Sequence, residues 1–310
     1  MKYYKNLADI PKIDNAIVSI GNFDGVHLGH RAIFDKMKEI KAQTGGEIVV
    51  VTFYPHPLNV LYPQKEPLKY INSKGRKNNI FAHYGIDILI EIPFTLDFAK
   101  LNAADFIAEI LINKIGAKYI VIGYDSHFGG SNHADTYKIL EELSDTYHYQ
   151  LIKIPAITGA GNVISSTKIR EFLKCGNIKA ANEMLGYEYS IFGQVVYGHQ
   201  IGRTIGFPTA NIFIENELKL IAANGVYACR VKYHGINFFG MCNIGTRPTV
   251  NGKDLTIEVN IFDFDEDIYG DYLGVYFVDR LRDEIKFDNL EALKQQLTID
   301  QINAKKLFNV

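Results

Sequence analysis

The chain has no tryptophan, three cysteines and four methionines in 310 residues. Three is an odd number, too few for a disulfide framework, and Cys175, Cys229 and Cys242 lack the paired spacing of a zinc site. They are expected to be buried small residues in a reducing compartment. Charge of one sign is also missing: 33 basic residues face 35 acidic ones, a formal net of −2. A general nucleic-acid binder and a binder of anionic membranes are therefore disfavoured. Long apolar runs are absent as well. The longest, such as Ile48 to Val51, fall far short of the roughly 20 residues a membrane-crossing helix needs, and the segment MKYYKNLADIPKID has no apolar core of signal-peptide type. Internal repeats, low-complexity tracts and long Gly/Ser linkers do not occur. A soluble, cytoplasmic protein is expected, with no nucleic-acid or membrane partner and with its oligomeric state left open.

What is present is enough to fold. At 47% hydrophobic and 22% charged residues the chain can bury a sizeable core, and its length suggests about two domains at roughly 150 residues each. In the first half, AIVSI (16–20), EIVVVTF (47–53), DILIEI (87–92), KYIVIG (118–123) and QLIKIPAI (150–157) are β-branched and nearly continuous, as strands buried on both faces of a parallel sheet should be. Helical patterns lie between them. In AADFIAEILINKIG, Phe106, Ile107, Ile110, Leu111 and Ile115 form one stripe, with Asn102 as N-cap and Gly116 at the end. Such alternation predicts a doubly wound α/β sheet, with ligands at the carboxyl ends of its strands. Near residue 187 the period changes to two: Tyr227, Cys229, Val231 and Tyr233 share one face of GVYACRVKY, and Ile257, Val259 and Ile261 one face of TIEVNIF. Short strands punctuated by glycine suggest a small antiparallel β-barrel. The segment 289–308, with Leu290, Leu293 and Leu297 at helical spacing, is expected to pack on that barrel as a closing C-terminal helix.

The densest motif is SIGNFDGVHLGHRAIF (19–34), a strand-to-helix turn. Gly21, Gly25 and Gly29 let the backbone turn tightly and approach a ligand. The following helix aims its free N–H groups and positive dipole end at the same place, which makes a phosphate site. His27 and His30 stand on one helix face, where imidazoles donate hydrogen bonds to phosphate oxygens gaining charge in a transition state; a structural or metal-binding pair is the alternative. Neither G-x-G-x-x-G nor a Walker-type loop occurs, so a dinucleotide-reducing enzyme or a P-loop kinase is not supported. The H-x-G-H spacing resembles the nucleotidyltransferase superfamily. So does ISSTKIR (164–170), where Ser165, Ser166 and Thr167 can cap a helix and Lys168 and Arg170 add cationic donors; a plain cap with surface charges reads the same.

GNFDGVHLGH, VTFYPHP (51–57), ISSTKIREFL, GRTIGFPTANI (202–212), NGVYACRV (224–231), NIGTRPTV (243–250) and RDEIKFDNLEAL (282–293) occur in the order and spacing of one family. The chain resembles, over essentially its whole length, the bacterial bifunctional riboflavin kinase/FMN adenylyltransferases, or FAD synthetases. The resemblance implies a nucleotidyltransferase-like Rossmann domain over residues 1–186 and a barrel over 187–310. The barrel would phosphorylate riboflavin with ATP and Mg²⁺, using Thr209 and Asn211 as metal and phosphate ligands, Gly202 and Gly206 around ATP, and Glu258 as catalytic base. Alternation supports an outward carboxylate, since Thr256, Glu258 and Asn260 oppose Ile257, Val259 and Ile261. The first domain would join FMN to a second ATP, giving FAD and pyrophosphate. Asn22, His27 and His30 would steady the α-phosphate, with Gly21, Phe23 and Gly29 also binding the nucleotide, and Ser166, Thr167 and Arg170 the departing pyrophosphate. His56, Asp125 and Phe128 would border the substrate pocket, though His56 reads equally well as a turn residue.

The sequence departs from the family in two places. Relatives usually continue the strand KYIVIG with GxDFxFG and an arginine-containing glycine-rich stretch, where this chain has GYDSHFG and GSNHAD. Asn72 and Arg76 stand where Thr and Glu are usual. Both changes fall in the first domain, which leaves a monofunctional riboflavin kinase as the alternative, and a non-catalytic flavin- or nucleotide-binding regulator as the alternative of another class.

Overall fold

The computed structural model describes residues 1–124, 126, 133–198, 200–249 and 252–309. Its contacts divide the chain into two compact units: Met1–Tyr70 with Lys74–Ser165, and Ile71–Ser73 with Ser166–Val310.

The first unit is a parallel six-stranded sheet. Its strands are β1 (Lys2–Tyr4), β2 (Ala16–Ile20), β3 (Ile48–Tyr54), β4 (Ile88–Pro93), β5 (Ala117–Ile122) and β6 (Gln150–Lys153), in the order β1-β4-β3-β2-β5-β6. Helices α1 (Leu28–Thr44), α2 (Pro57–Leu61), α3 (Lys74–His83), α4 (Ala103–Asp105) and α5 (His133–Tyr147) connect them, and a hairpin of β7 (Thr158–Gly159) and β8 (Asn162–Val163) follows. Both sheet faces are buried. Val18, Val49, Val51, Ile88 and Ile90 pack with Phe106, Ile110 and Leu111 on one side, while the alternate residues Ile17, Val50, Leu89 and Val121 are buried on the other, as continuous apolar strands require. The chain runs from β2 outward to β4 and returns to place β5 on the far side of β2. The carboxyl end of β2 is therefore the topological switch point, where such sheets bind ligands.

Three local expectations change. The stripe helix forms with Asn102 capping through Asp105 N–H at 2.9 Å and Gly116 ending it at φ 87°, but residues Phe106–Ile115 are a π-helix. The spacing of four and five between Phe106, Ile110, Leu111 and Ile115 suits that wider turn as well as it suits an α-helix. The last strand ends at Lys153, two residues before Pro155, which has no N–H to offer a ladder. Cys175 is exposed, whereas Cys229 and Cys242 are buried as expected.

The second unit opens with α6 (Ser166–Lys174) and α7 (Ile178–Leu185) and continues through β9 (Ser190–Val196), α8 (Ile201–Thr204), β10 (Ala210–Phe213), β11 (Gly225–Tyr233), β12 (Ile236–Thr249), β13 (Gly252–Ile261), β14 (Tyr272–Arg282) and α9 (Leu290–Phe308). The strands close into an antiparallel barrel, β10-β13-β12-β11-β14-β9, with β9 also pairing β10. Tyr227, Cys229, Val231, Cys242 and Val259 are sealed in its core. Asn182 of α7 ties its helix to the barrel, donating to Phe277 O at 2.8 Å and accepting from Tyr189 N–H at 2.7 Å. Helix α9 packs on the barrel as expected: Leu297 lies against the barrel core, and Ala304 and Phe308, seven and eleven residues further on, continue the same face. Ala304 and Phe308 are buried against Ala228, Met241 and Phe262, Phe308 stacks on Phe239 at 4.4 Å, and Leu290 is left exposed.

Candidate active sites

The turn after β2 is the most constrained backbone of the first unit. Gly21 N–H donates to Val51 O at 3.0 Å, and Phe23, Gly25 and Val26 then take φ values of 47°, 80° and 38°. A β-branched residue at positive φ is strained, and such strain gathers at functional sites; here complete burial of Val26 holds it. The turn delivers His27 to the N-cap of α1, where its Nδ1 accepts from His30 N–H at 3.4 Å. An imidazole that accepts at Nδ1 carries its proton on Nε2, so the cap orients a donor. The His30 ring lies parallel to His27, centroids 3.6 Å apart, and Phe23 meets it edge-on at 5.1 Å. Gly29 makes this stack possible: a Cβ there would press on His27 Cε1 and Nδ1 at 3.2 Å, and would lie 3.8 Å from Ile164 O. The residue that opens ISSTKIR thus sits against the start of α1.

Two polar atoms in this turn, His30 Nδ1 and Asn22 Oδ1, are cut off from solvent and lack a hydrogen-bond partner among the described residues. Buried polar atoms in native proteins are nearly all paired, so these two mark a place a ligand can fill. Burial, then the neighbouring His27 and Lys77, hold His30 well below the usual histidine range. A neutral ring beside an arriving phosphate can gain a proton or donate the one it has.

The barrel carries the second site. A cavity of about 240 Å³ is lined by Val195, Arg203, Thr209, Ala210, Val259 and Tyr269, among others. Gly202 permits the close approach of α8 to the strand entry, because a Cβ there would lie 2.2 Å from Phe207 O; Gly206 takes φ 84° in the turn that follows. Ala210 and Val259 face each other across β10 and β13 and line the cavity. Their neighbours Asn211 and Glu258, also in register, therefore project from the opposite side of the same strands. Asn243 of β12 pairs Glu258 in turn, so Asn211, Glu258 and Asn243 form one cross-strand row. Glu258 is half-buried; burial first, and then the Glu258 carboxylate, push the Cys242 thiol up. Gly198 covers the row's end: a Cβ there would lie 2.2 Å from Asn211 Nδ2 and 2.6 Å from Oδ1.

A model of the FAD synthetase family matches residues 9–168, and one of the riboflavin kinase family matches 185–308. The bifunctional riboflavin kinase/FMN adenylyltransferase of Buchnera aphidicola from Acyrthosiphon pisum is 37% identical over 100% of this chain and 99% of its own. The chain belongs to the bifunctional riboflavin kinase/FMN adenylyltransferase family. The Escherichia coli K12 member is 33% identical over 98% of this chain and 96% of its own. A solved Streptococcus pneumoniae structure titled as a macrolide-efflux protein shares the fold at a TM-score of 0.88 and 34% identity, covering 98% of both chains. Among the described residues, no helix is long and apolar enough to cross a membrane.

As a member of this family the chain is a transferase with two reactions. It phosphorylates riboflavin to FMN with ATP, and transfers an adenylyl group from ATP to FMN, yielding FAD and pyrophosphate. The first unit brings Gly21, Asn22, Phe23, Gly29, His27 and His30 together in the adenylyltransferase half. Ser166, Thr167 and Arg170 lie at the start of α6, in the second unit, and Lys168 there pairs with Glu171 at 2.8 Å. His56 is nine-tenths buried and caps α2, its Nδ1 accepting from Leu58 N–H at 3.2 Å. Asp125 and Phe128 lie outside the described residues. At the altered family position 72, the Asn72 carboxamide donates to Tyr187 OH at 2.7 Å. In the barrel, Arg203 and Tyr269 line the cavity beside Thr209, and sequence reasoning did not anticipate them, because they come from α8 and an acidic loop without periodicity. It also missed Lys77, whose amine donates to Asn22 O at 3.2 Å and Thr52 Oγ1 at 3.3 Å. Its spacing to Ile80 and Phe81 on α3 was the available signal, since it puts the amine on the helix's buried face.

The donors suit the magnesium ion the kinase reaction implies. Thr209 and Asn211 offer hard oxygens, and Gly198 and Gly202 leave room that a Cβ would fill. Mg²⁺ bound with substrate phosphates needs only one or two protein oxygens.

Proposed function

We propose that residues 1–186 carry adenylyl transfer through the turn after β2 and that residues 187–310 carry riboflavin phosphorylation through Thr209, Asn211 and Glu258. The observation that supports the kinase assignment best is the cross-strand row, in which Glu258 stands directly opposite Asn211. In this reading Glu258 orients the ribityl 5′-hydroxyl and takes its proton as the oxygen attacks the γ-phosphorus and ADP leaves. Thr209 Oγ1 and the Asn211 carboxamide would hold Mg²⁺, whose charge when bound offsets that of the β- and γ-phosphates.

For adenylyl transfer, an FMN phosphate oxygen attacks the α-phosphorus of ATP, and the bond to the β-phosphate breaks to release pyrophosphate. No covalent enzyme intermediate is needed. His27 Nε2–H and His30 donate to the α-phosphate oxygens, aided by the free N–H groups at the start of α1, and Ser166, Thr167 and Arg170 are assigned to the pyrophosphate. We place the enzyme in the cytoplasm, consistent with three cysteines that form no disulfide.

Two variants separate the halves. Glu258→Gln should lower FMN formation from riboflavin by about 10²–10⁴-fold, the usual range for loss of a base, while FAD formation from supplied FMN persists. His30→Asn should do the reverse. Near-parental kinase turnover in Glu258→Gln removes that role.

A further inference from the structure

Lys77 has no part in the reactions as derived above, yet it is wired to the turn that carries them. Its ammonium donates to Asn22 O at 3.2 Å and to Thr52 Oγ1 at 3.3 Å, and the Thr52 hydroxyl donates to the same Asn22 carbonyl at 3.3 Å. A cation, a hydroxyl and a carbonyl thus close a triangle on the residue between Gly21 and Phe23. Thr52 is wholly buried on β3, so the triangle is anchored in the sheet. Two of the three ammonium N–H groups have acceptors among the described residues.

The charge has neighbours of both signs. Burial lowers the proton affinity of Lys77 most; Asp24, in the turn, and Glu91, on β4, attract the charge and partly offset this, while Lys74, one turn earlier on α3, repels it. Glu91 is already engaged, its Oε1 accepting from Lys74 Nζ at 2.6 Å and from Tyr3 OH at 2.9 Å. The other half of the cluster is the stacked imidazole pair. His30 feels three influences: its own burial, the His27 ring on its face and the Lys77 charge, with Phe23 edge-on beside it. Its Nδ1 and the Asn22 Oδ1 are the two partnerless buried atoms of the turn, and Lys77 holds the backbone of one and biases the protonation of the other.

We propose that Lys77 is a positioning residue for adenylyl transfer: it clamps the Asn22 carbonyl so that the turn presents both imidazoles, and it sets a positive field behind them where phosphate charge collects. That field adds to burial and to the stacked His27 in disfavouring protonation of His30, and an arriving phosphate group would reverse the local potential. The proposal rests on the reading of His27 and His30 as phosphate-binding groups.

The test uses the full chain, in which the second reaction is an internal control. Lys77→Met removes the cation and keeps an unbranched stem; Lys77→Arg keeps a charge. Expected for Lys77→Met is a fall in FAD-forming kcat of about 10–100-fold, in the range for loss of one oriented electrostatic group, with FMN formation within twofold of the parent. Lys77→Arg should recover at least part of the loss. An NMR titration in the absence of nucleotide, with the His30 signal assigned by its disappearance in His30→Asn, should show His30 protonating at higher pH in Lys77→Met and near the parental pH in Lys77→Arg. FAD-forming kcat of Lys77→Met within threefold of the parent, or an unmoved His30 titration, overturns the proposal. So does equal loss in both variants together with a collapsed thermal transition of the first unit, which assigns Lys77 to folding. If His30→Asn itself forms FAD normally, the failure belongs to the histidine reading; if His30→Asn is dead and Lys77→Met is not, it belongs to Lys77.

Discussion

Gly198→Ala is a one-methyl change whose cost can be worked from the structure. An ideal Cβ at 198 would lie 2.2 Å from Asn211 Nδ2, 2.5 Å from Cγ and 2.6 Å from Oδ1, where ordinary contact begins at 3.4 Å. The carboxamide must therefore retreat by about 1.2 Å, the difference between 3.4 and 2.2 Å. Folding should tolerate this, because what moves is the end of a side chain on a partly exposed strand and Gly198 itself needs no special φ; the expected loss stays within about 1 kcal/mol. Catalysis should not. A displacement of about 1 Å in a positioning group costs on the order of 10²-fold in rate, and Asn211 is one of two oxygens proposed for the metal. The assay follows FMN formation from riboflavin and ATP, beside FAD formation from supplied FMN and a thermal melt. Reduced kinase turnover with unchanged FAD synthesis and melting is the expected pattern. Kinase kcat within threefold of the parent would refute the placement of Asn211 in the reaction.

Stability should also report the depressed proton affinity of His30. Its folded-state value lies below the ordinary 6.5, so between the two values the unfolded chain binds the extra proton, and stability rises with pH through that window and is flat above it. Urea titrations of the parent should lose at most about 1.4 kcal/mol per pH unit on this account as pH drops below 6.5, and His30→Asn should flatten that slope; an equally steep dependence in the variant counts against it. Phe308→Ala should cost about 3 kcal/mol, as large-to-small changes of buried aromatics do, by removing the stack on Phe239 that seats α9; a loss under about 1 kcal/mol in urea would show the helix held elsewhere.

The sheet was legible because its signal is local. AIVSI is β-branched and uninterrupted, and β2 spans Ala16–Ile20 as read; the barrel's period of two was equally plain in Ile257, Val259 and Ile261. The edge strand β1 escaped notice because three residues, KYY, carry no periodicity, and it exists only through pairing with Ile88–Ile90. The face of α9 was legible through Leu297, which packs on the barrel with Ala304 and Phe308; that the stripe's first residue, Leu290, stays exposed depends on where the barrel ends beneath the helix. The same applies to the sites. Glycines and histidines between a strand and a helix announce a phosphate turn, and the alternation around Glu258 announces an outward carboxylate. That Asn211 and Asn243 flank that carboxylate is a matter of register between strands far apart in sequence, which no window of sequence contains. Lys77 went unremarked in KGRKNNIFAH, because its contact is with a carbonyl 55 positions away.

The pairing of β9 with both β14 and β10 leaves the barrel without a terminal strand. Among the described residues, no barrel strand has one whole side unpaired, so the closed sheet offers a passing chain fewer idle backbone donors and acceptors than an open one would. The parallel sheet has such rims, but one is three residues long and the other stops after four, just ahead of Pro155. At high concentration, intermolecular strand addition thereby meets short outer strands in the parallel sheet and a closed ring of strands in the barrel.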